Sequence, residues 1–449
     1  MARIGILSAL VLSAMCTLAS LAGAVWAAER RDLVVVTSYP PSFIEPFQRA
    51  FERRNADIRL VVIQRNTASA SRFIIEKTEV AADIFWASAA DAFELLKRTG
   101  ELRPIAPRPT GAPARVLGYP VDDPGGYYLG FALSGYGFVY NPSYLAQHAL
   151  PVPRDWQDLI KPVYSGHIGI TSPSRSGTTH LIVEALLQTY GWDHGWALLS
   201  QLGGNLSTVT ARSFGVASGV AQRRFGIGIT IDFLARAPDL ANADNVFITP
   251  RNAVFVPASI AILSRSRNIE GAERFVDFVL SEEGQKILLT PAVGRIPVLA
   301  SLNGGLLPQQ AGDGLLKYHS FDPSASAARY GLVNLMFDDY IVRRRAMLAR
   351  LWKRLTDLET ANIDDPQRQE MLGRARALLS MPPLSAEEMT SLADPLKTEW
   401  PRGAVRSPEQ QAFARALRST IEQNLAAAES LIMTASRDPD SLRYQPWRQ

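Results

Sequence analysis

Hydroxyl side chains, one arginine and one glycine are concentrated where an apolar strand pattern gives way to a helix pattern, in GHIGITSPSRSGTTHLIVEALL at residues 166–187. The start of a helix presents unpaired backbone N–H groups and the positive end of the peptide dipoles, which favour a bound anion. Capping such a helix requires one hydroxyl, whereas five occur here beside a guanidinium. We therefore predict contacts to a phosphate or carboxylate from the following residues: Ser172, Ser174, Arg175, Ser176, Gly177, Thr178 and Thr179.

Further polar candidates follow other predicted strands, at the sheet edge where open α/β sheets bind ligands. They are Thr37, Ser38, Tyr39, Asn66, Ser88, Ser213 and Asp232. Each has a structural alternative, since residues 37–39 can form the turn before Pro40, and Ser213 or Asp232 can cap the helix that follows it. A carboxylate that ends an apolar strand needs a partner, which favours Asp232 as a contact to a solute hydroxyl or ammonium group.

The sequence gives no positive support for catalysis. His180 directly follows the hydroxyl cluster, so a phosphate-ester hydrolase with a histidine base is the alternative from a different functional class. The five histidines are scattered without metal-ligand spacing, and no G-x-S-x-G, S-x-x-K, Walker A or G-x-G-x-x-G motif occurs. We therefore expect a binding protein rather than an enzyme, with no catalytic residue, no metal and no cofactor.

The polar segments lie between elements that alternate as strand, turn and helix. Strand patterns occur at Leu33–Thr37, Ile58–Ile63 and Asp83–Ala87, each followed by apolar residues at helical spacing, and the rhythm returns in residues 167–233. This alternation predicts right-handed crossovers and two mostly parallel sheets that face each other across the polar loops. One long amphipathic helix is predicted at residues 269–289.

Beyond about residue 320 the pattern becomes helical. Apolar side chains recur every three or four residues from Phe337 to Leu358, and helical patterns continue at Gln367–Leu379 and Pro408–Ile432. We expect a helical extension whose apolar stripe packs on the first domain.

Composition and the N-terminus limit the class of protein. The 449-residue chain is 47% hydrophobic and long enough for two or three domains. Its net charge is +4, but no run of basic residues is interleaved with aromatic residues. This pattern argues against a nucleic-acid partner. Arg3 precedes an apolar run and small residues, the layout of a secretory signal cleaved near Ala27 or Ala28. The single cysteine, Cys16, lies within this segment, which fits an oxidising compartment. The expected location is the periplasm.

Five segments together resemble the extracellular solute-binding proteins of ATP-driven importers, in the class that includes ferric-ion, aminoethylphosphonate and sugar-phosphate binders. These segments are LVVVTSYPPSFIEPFQRAFE, ADIFWAS, SGYGFVYNPSYL, GHIGITSPSRSGTTHLIVEAL and VPASIAILSRSRNIEGAERFVDFVLSEEGQKIL. The resemblance spans roughly Leu33 to Val298, and the SPSRSGTTH segment with the helical tail is most similar to the phosphoglycerate-transport regulatory type. Ferric binders of this class carry a tyrosine pair where this chain reads GITIDFLA, which disfavours iron.

The resemblance implies an α/β, two-lobed type II periplasmic-binding-protein fold with an α-helical C-terminal extension. The implied divisions are a signal peptide at 1–28, a first lobe at 29–132 and 257–319, a second lobe at 133–256 and the extension at 320–449. Such a protein, expected to be a monomer, captures a small anionic, phosphoglycerate-like solute between its lobes. It presents that solute to an inner-membrane permease of an ABC importer or to the external domain of a sensor kinase. Phosphonates, hexose phosphates and ferric ion are the alternative ligands.

Overall fold

The computed structural model describes residues 30–76, 81–106, 111–116, 119–235, 244–250, 255–304, 321–361, 365–398 and 407–436. The predicted signal peptide and its cleavage site near Ala27 or Ala28 lie outside these ranges. Within them, no helix combines the length and the apolar character that crossing a bilayer requires.

Ten of the twelve described strands form one extended sheet whose main path runs in the order β2-β1-β3-β11-β6-β9-β7-β8. β1, β2 and β3 are parallel, as are β7, β8 and β9, whereas β6 and β11 run antiparallel to their neighbours. The mostly parallel arrangement predicted for the two α/β units is therefore present, but the prediction of two separate sheets was wrong, because β6 pairs with strands of both units and joins them into one. The strands are β1 (Arg31–Thr37), β2 (Ile58–Gln64), β3 (Ile84–Ala87), β4 (Arg115–Val116), β5 (Tyr119–Pro120), β6 (Leu129–Tyr140), β7 (Ile168–Thr171), β8 (Leu206–Thr210), β9 (Ile227–Ile231), β10 (Val246–Ile248), β11 (Phe255–Ile262) and β12 (Ile296–Pro297).

Helices follow most of the parallel strands and make up the C-terminal region. The α-helices are α1 (Pro41–Arg54), α2 (Thr67–Ile75), α3 (Ala90–Arg98), α4 (Pro142–Gln147), α5 (Gly177–Tyr190), α6 (Trp192–Asn205), α7 (Phe214–Ala221), α8 (Asp232–Ala235), α9 (Ile269–Leu280), α10 (Glu282–Leu288), α11 (Pro323–Ala328), α12 (Tyr330–Phe337), α13 (Arg345–Thr360), α14 (Pro366–Ser380), α15 (Ala386–Ser391), α16 (Asp394–Thr398) and α17 (Pro408–Ala435). Short 3-10 turns occur at Pro162–Tyr164 and Pro173–Arg175, and a π-helical turn at Asp338–Val342.

Strand β6 links the two halves of the sheet. Its residues Leu129–Gly135 pair with β11, whereas its residues Tyr136–Tyr140 pair with β9. We refer to β1–β3 and β11 with α1–α3, α9 and α10 as the first lobe, and to β7–β9 with α5–α8 as the second lobe. The residue boundaries given above for the lobes remain predictions.

The helix predicted at residues 269–289 is in fact two helices, α9 and α10. Ser281 between them has extended backbone angles, and its hydroxyl accepts a hydrogen bond from the Gly284 N–H at 3.2 Å. A serine in this conformation is an N-cap, so it begins a second helix instead of continuing the first. The prediction of one helix was wrong because apolar spacing carries across a capped break.

The helical extension packs chiefly on the second lobe, and the expectation that it covers the first was wrong. Its buried side chains share one apolar cluster with α5 and α6. A Cβ placed on Gly204 of α6 would lie 2.9 Å from the side chain of Trp352 in α13. Glycine at this position therefore allows α6 and α13 to approach closely. Tyr340 of the π-helical turn donates a hydrogen bond to Ser200 of α6 at 3.0 Å.

Candidate functional site

The loops at the carboxyl ends of the parallel strands in both lobes converge on one cavity of about 70 Å³. Nine of the residues proposed from the sequence line this cavity: Ser38, Tyr39, Asn66, Ser88, Arg175, Ser176, Gly177, Thr178 and Ser213. Residues separated by more than a hundred positions in the chain are thus brought together.

Two of the other candidates, Thr37 and Asp232, do not line the cavity. The Thr37 hydroxyl is buried and accepts a hydrogen bond from the Tyr39 N–H at 3.1 Å, which stabilises the turn after β1. The Asp232 carboxylate accepts hydrogen bonds from the N–H groups of Phe233, at 2.7 Å, and Gly135, at 3.2 Å. These bonds fix the start of α8 against β6, so the carboxylate stabilises the backbone where a solute contact was expected.

Ser174 and Thr179 also lie outside the cavity lining, because their polar atoms support the loop from within. The Ser174 hydroxyl is 2.8 Å from the Ser172 hydroxyl, and the Thr179 N–H donates to the Ser176 hydroxyl at 3.1 Å. Ser176 is therefore the N-cap of α5, as its extended backbone also indicates. The N-terminus of α5 and its positive dipole end face the cavity.

Gly177 is one point at which the second lobe touches the first. A Cβ at this position would lie 2.7 Å from the Thr67 hydroxyl and 3.1 Å from the Ala89 Cβ. Thr67 begins α2, and Ala89 lies in the loop between β3 and α3, so both neighbours belong to the first lobe. A side chain at residue 177 would therefore interfere with this close approach of the lobes.

Arg175 is half-buried in the cavity wall, and it forms no ion pair with another residue in the described ranges. Its Nε atom is buried and has no hydrogen-bond partner among the described residues. A cation beside a helix N-terminus is opposed by the helix dipole, so Arg175 does not stabilise α5 by its charge. Arg212 also lines the cavity, and no carboxylate from the described part of the chain does so. The cavity thus combines two cations, several hydroxyls and a helix N-terminus, a set of groups suited to an anion.

Arg295, which the sequence analysis missed, lies behind the cavity wall and is only 2% exposed. Its Nη2 atom donates to the Ser88 hydroxyl at 2.6 Å, and Ser88 is also 2.9 Å from the Tyr39 hydroxyl. The Nε and Nη1 atoms are buried without hydrogen-bond partners in the described ranges. The sequence contains one indication of this residue, a lone arginine in the apolar segment GRIPV. An arginine that is buried with apolar neighbours needs a partner that compensates its charge.

Tyr39 is an uncharged hydrogen-bonding group at neutral pH. Burial raises the pKa of its hydroxyl above the ordinary value, and the positive charge of Arg295 offsets that shift only in part. The ring packs between Phe43, at 4.1 Å between centroids, and the Arg295 guanidinium, at 4.8 Å. Tyr39 can therefore donate a proton in a hydrogen bond while remaining fixed in orientation.

His180 is fully buried and does not line the cavity. Its Nδ1 atom is 2.8 Å from Asn334 Oδ1 and its Nε2 atom is 3.1 Å from the Ser326 hydroxyl, both in the helical extension. In this arrangement it is not available as a base beside the hydroxyls of the cavity. Among the described residues, no cluster of three or more His, Cys, Asp or Glu side chains is arranged to hold a metal ion.

Sequence comparison gives two related findings. Residues 80–319 match the bacterial extracellular solute-binding protein family. The chain is also 32% identical, over 370 residues, to the phosphoglycerate transport regulatory protein PgtC of Salmonella typhimurium, with 81% of this chain and 89% of that protein covered.

Solved structures with the same fold include two periplasmic binding proteins. AfuA from Actinobacillus pleuropneumoniae, in a structure with exogenous fructose-6-phosphate bound, has a TM-score of 0.61 at 23% identity and covers 69% of this chain and 98% of its own. Apo ferric ion-binding protein A from Pasteurella haemolytica has a TM-score of 0.57 at 17% identity, covering 69% of this chain and 97% of its own. These similarities confirm the two-lobed type II periplasmic-binding-protein fold, here with a helical C-terminal region. The chain belongs to the bacterial extracellular solute-binding protein family of ABC transporter systems.

Proposed function

We propose that this protein binds a small solute with a phosphate group in the cavity between its lobes. The observation that carries the proposal is the arginine pair at the cavity, Arg175 and Arg212, with no carboxylate from the described residues beside it. The two guanidiniums and the N-terminus of α5 all contribute positive potential to the same cavity. An anion with more than one negative charge is the ligand that this arrangement stabilises most.

Phosphoglycerate-like acids are the first candidates for the solute, because they carry a phosphate and a carboxylate on a three-carbon chain. The relative PgtC is named for phosphoglycerate transport, which supports this choice. Hexose phosphates come second, supported by the fructose-6-phosphate in the AfuA structure. Ferric ion is not favoured, since β9 ends in Thr230-Ile231 and is followed by Asp232, without a tyrosine pair.

The close approach of the two lobes beside the cavity supports a movement of the lobes during binding. A Cβ at Gly177 would lie 2.7 Å from the Thr67 hydroxyl of the other lobe, so the lobes are in contact in the described arrangement, and a solute enters more readily when they are apart. Contacts from both lobes to one solute then favour closure, because a ligand shifts the equilibrium toward the form that it binds best.

We further infer export to the periplasm, with removal of residues 1–28, and delivery of the solute to an inner-membrane ABC permease or to the external domain of a sensor. The family assignment supports the extracytoplasmic location. The protein acts as a monomer with the lobe divisions proposed from the sequence.

Titration calorimetry of the mature protein with 3-phosphoglycerate, fructose-6-phosphate, inorganic phosphate and glycerate tests the proposal. We expect heat of binding with the phosphorylated acids and none with glycerate, which lacks the phosphate. Thermal unfolding gives a second readout, since a ligand at about 100 times its Kd stabilises the folded state by about 2.7 kcal/mol. The proposal is wrong if no phosphorylated solute binds or stabilises the protein at millimolar concentration.

The matched variants are Arg175→Ala and Arg53→Ala. Arg53 is an exposed arginine in the last turn of α1, at the end of that helix opposite the cavity. We expect the affinity to fall at least tenfold in Arg175→Ala and to stay unchanged in Arg53→Ala, because a charged hydrogen bond contributes about 1.5–3 kcal/mol.

A further inference from the structure

The short helix α11, at the start of the described extension, contacts both lobes. On the first-lobe side, the Ser324 hydroxyl donates to Glu94 of α3 at 3.3 Å, and Arg98 Nη2 donates to the Ala327 carbonyl at 3.5 Å. Both contacts are at the surface or half-buried, and each involves a single hydrogen bond. Single bonds of this kind contribute little net free energy, and α11 also packs along α3.

The same segment forms more hydrogen bonds with α5 of the second lobe, and one of its partners there, Glu184, is fully buried. Gln188 and the backbone of Asp322 exchange two hydrogen bonds, at 3.0 and 2.8 Å. Arg329 forms a two-pronged ion pair with the fully buried Glu184, with N–O distances of 2.8 to 3.2 Å. Breaking such a buried pair is strongly destabilising, so this side stays attached when the other separates.

Directly beneath α11, the two lobes meet through a pair of fully buried side chains. Asp91 Oδ2 of α3 lies 3.5 Å from His180 Nε2 of α5. The same His180 nitrogen is 3.1 Å from the Ser326 hydroxyl, and the Tyr330 ring covers the imidazole at 4.1 Å between centroids. Asp91 follows Ser88 by three residues, and His180 follows Thr178 by two, so this contact adjoins the cavity in both lobes.

The extension also reaches the loop that carries Arg175. The Ser172 hydroxyl donates to the Asp338 carboxylate of the π-helical turn, and Ser172 is bonded in turn to Ser174. The extension is therefore joined to the second lobe at both the loop and the body of α5. Opening of the cleft must then separate α11 from α3.

We propose that α11 is a clasp across the cleft: it remains bound to the second lobe and docks on α3 only when the lobes close, so that solute binding and this docking are coupled. The coupling to solute rests on the proposed function, whereas the docking on closure does not. An α11 that changes its contacts with occupancy makes the helical extension a reporter of the bound state.

Cysteine pairs test the clasp, because the only natural cysteine is Cys16 in the predicted signal peptide. The pair Glu94→Cys with Ser324→Cys spans α3 and α11, and the control pair Gln188→Cys with Asp322→Cys spans α5 and the start of α11. With saturating 3-phosphoglycerate, we expect cross-linking of the first pair by a short bismaleimide to accelerate at least fivefold, within the usual range for coupled sites. The control pair should react at the same rate with and without the solute. Equal responses of the two pairs, in a protein that calorimetry shows to bind 3-phosphoglycerate, would overturn the proposal.

A measurement without solute keeps the clasp testable if the ligand is wrong. Hydrogen exchange is compared between the cross-linked and the unlinked Glu94→Cys/Ser324→Cys protein, at residues 84–90 and 172–180. Slower exchange in the cross-linked form supports the clasp, and unchanged exchange contradicts it. Failure of wild-type protein to bind any phosphorylated probe counts instead against the proposed function, so the two failures are distinguishable.

Discussion

The guanidinium of Arg295 lies 3.8 Å from the centre of the Phe233 ring, so a buried cation of the first lobe is stacked on an aromatic side chain of the second. Phe233 lines the cavity, and Arg295 stands directly behind it. The positive charge of Arg295 acts on the cavity through a layer with little water, where electrostatic interactions are strong. Arg295 is thus a positioning residue rather than a direct contact.

Replacement Arg295→Met should weaken solute binding without unfolding the protein. We expect a loss of about tenfold in affinity for 3-phosphoglycerate, because a positive charge close to the anion is removed. The melting temperature should stay the same or rise, since replacing an incompletely paired buried charge by an apolar side chain is often neutral or stabilising. Calorimetry and thermal unfolding measure the two effects. Unchanged affinity with a lowered melting temperature would assign Arg295 a purely structural role.

Replacement Gly177→Ala should hinder closure. The new methyl group would lie 2.7 Å from the Thr67 hydroxyl, so the lobes could not approach as closely. We expect affinity for the solute to fall about tenfold or more while the melting temperature of the solute-free protein changes little. The control is Gly373→Ala in α14, where a Cβ meets no atom within 4 Å and helix propensity predicts a gain of about 0.5–1 kcal/mol. Equal affinities of Gly177→Ala and wild type would contradict this account of the close approach.

Replacement Asp91→Asn should change how stability depends on pH. Burial, the largest cause, raises the pKa of the Asp91 carboxyl to about 6, against partial compensation by His180. A raised folded-state pKa means that the stability contributed by the neutral carboxyl is complete below about pH 4 and is lost as pH rises through about 6. The loss corresponds to about 3 kcal/mol.

Denaturant unfolding at pH values from 4 to 8 checks this sign. The difference in unfolding free energy between Asp91→Asn and wild type should grow as the pH rises through 6. The exposed replacement Asp357→Asn, on α13, serves as the control and should leave the pH dependence unchanged. A pH-independent difference for Asp91→Asn would mean that this carboxyl titrates normally.

Replacement Leu348→Ala tests whether the extension is part of the fold of the second lobe. Leu348 is fully buried and contacts the region of Gly203 in α6. We expect a loss of about 2–5 kcal/mol in the free energy of unfolding, in the range for a buried leucine that leaves a cavity. Solute affinity measured below the unfolding transition should remain within twofold of wild type. A small loss of stability would indicate that the extension docks loosely.

The alternation of strands, polar turns and helices predicted the location of most of the cavity, because the carboxyl ends of parallel strands meet at one edge whatever their side chains. Ser88 and Ser176 were found in this way, and both line the cavity. Asp232 follows a strand by the same rule, yet its carboxylate bonds to two backbone N–H groups. Sequence position fixed where this residue begins a helix but not which way its oxygens face.

Contacts between residues that are distant in the chain could not be predicted from the sequence. Arg295 and Ser88 are in contact although 207 positions separate them in the chain. No local sequence pattern indicates such a contact. Helical spacing identified Leu348 as a buried residue, but it did not identify the lobe that covers it. The small pair Gly203-Gly204 was the available clue, since small residues on a helix allow another helix to approach closely.

Strand β6 is twelve residues long and pairs with strands of both lobes without a break, so a rotation of one lobe against the other would have to bend this strand near Gly135 and Tyr136. The Asp232 carboxylate accepts a hydrogen bond from the N–H of Gly135 at this point of the strand. A substitution at these residues is expected to change how far the lobes open, and hence the rates at which a solute enters and leaves. Every residue that contacts the solute would stay the same.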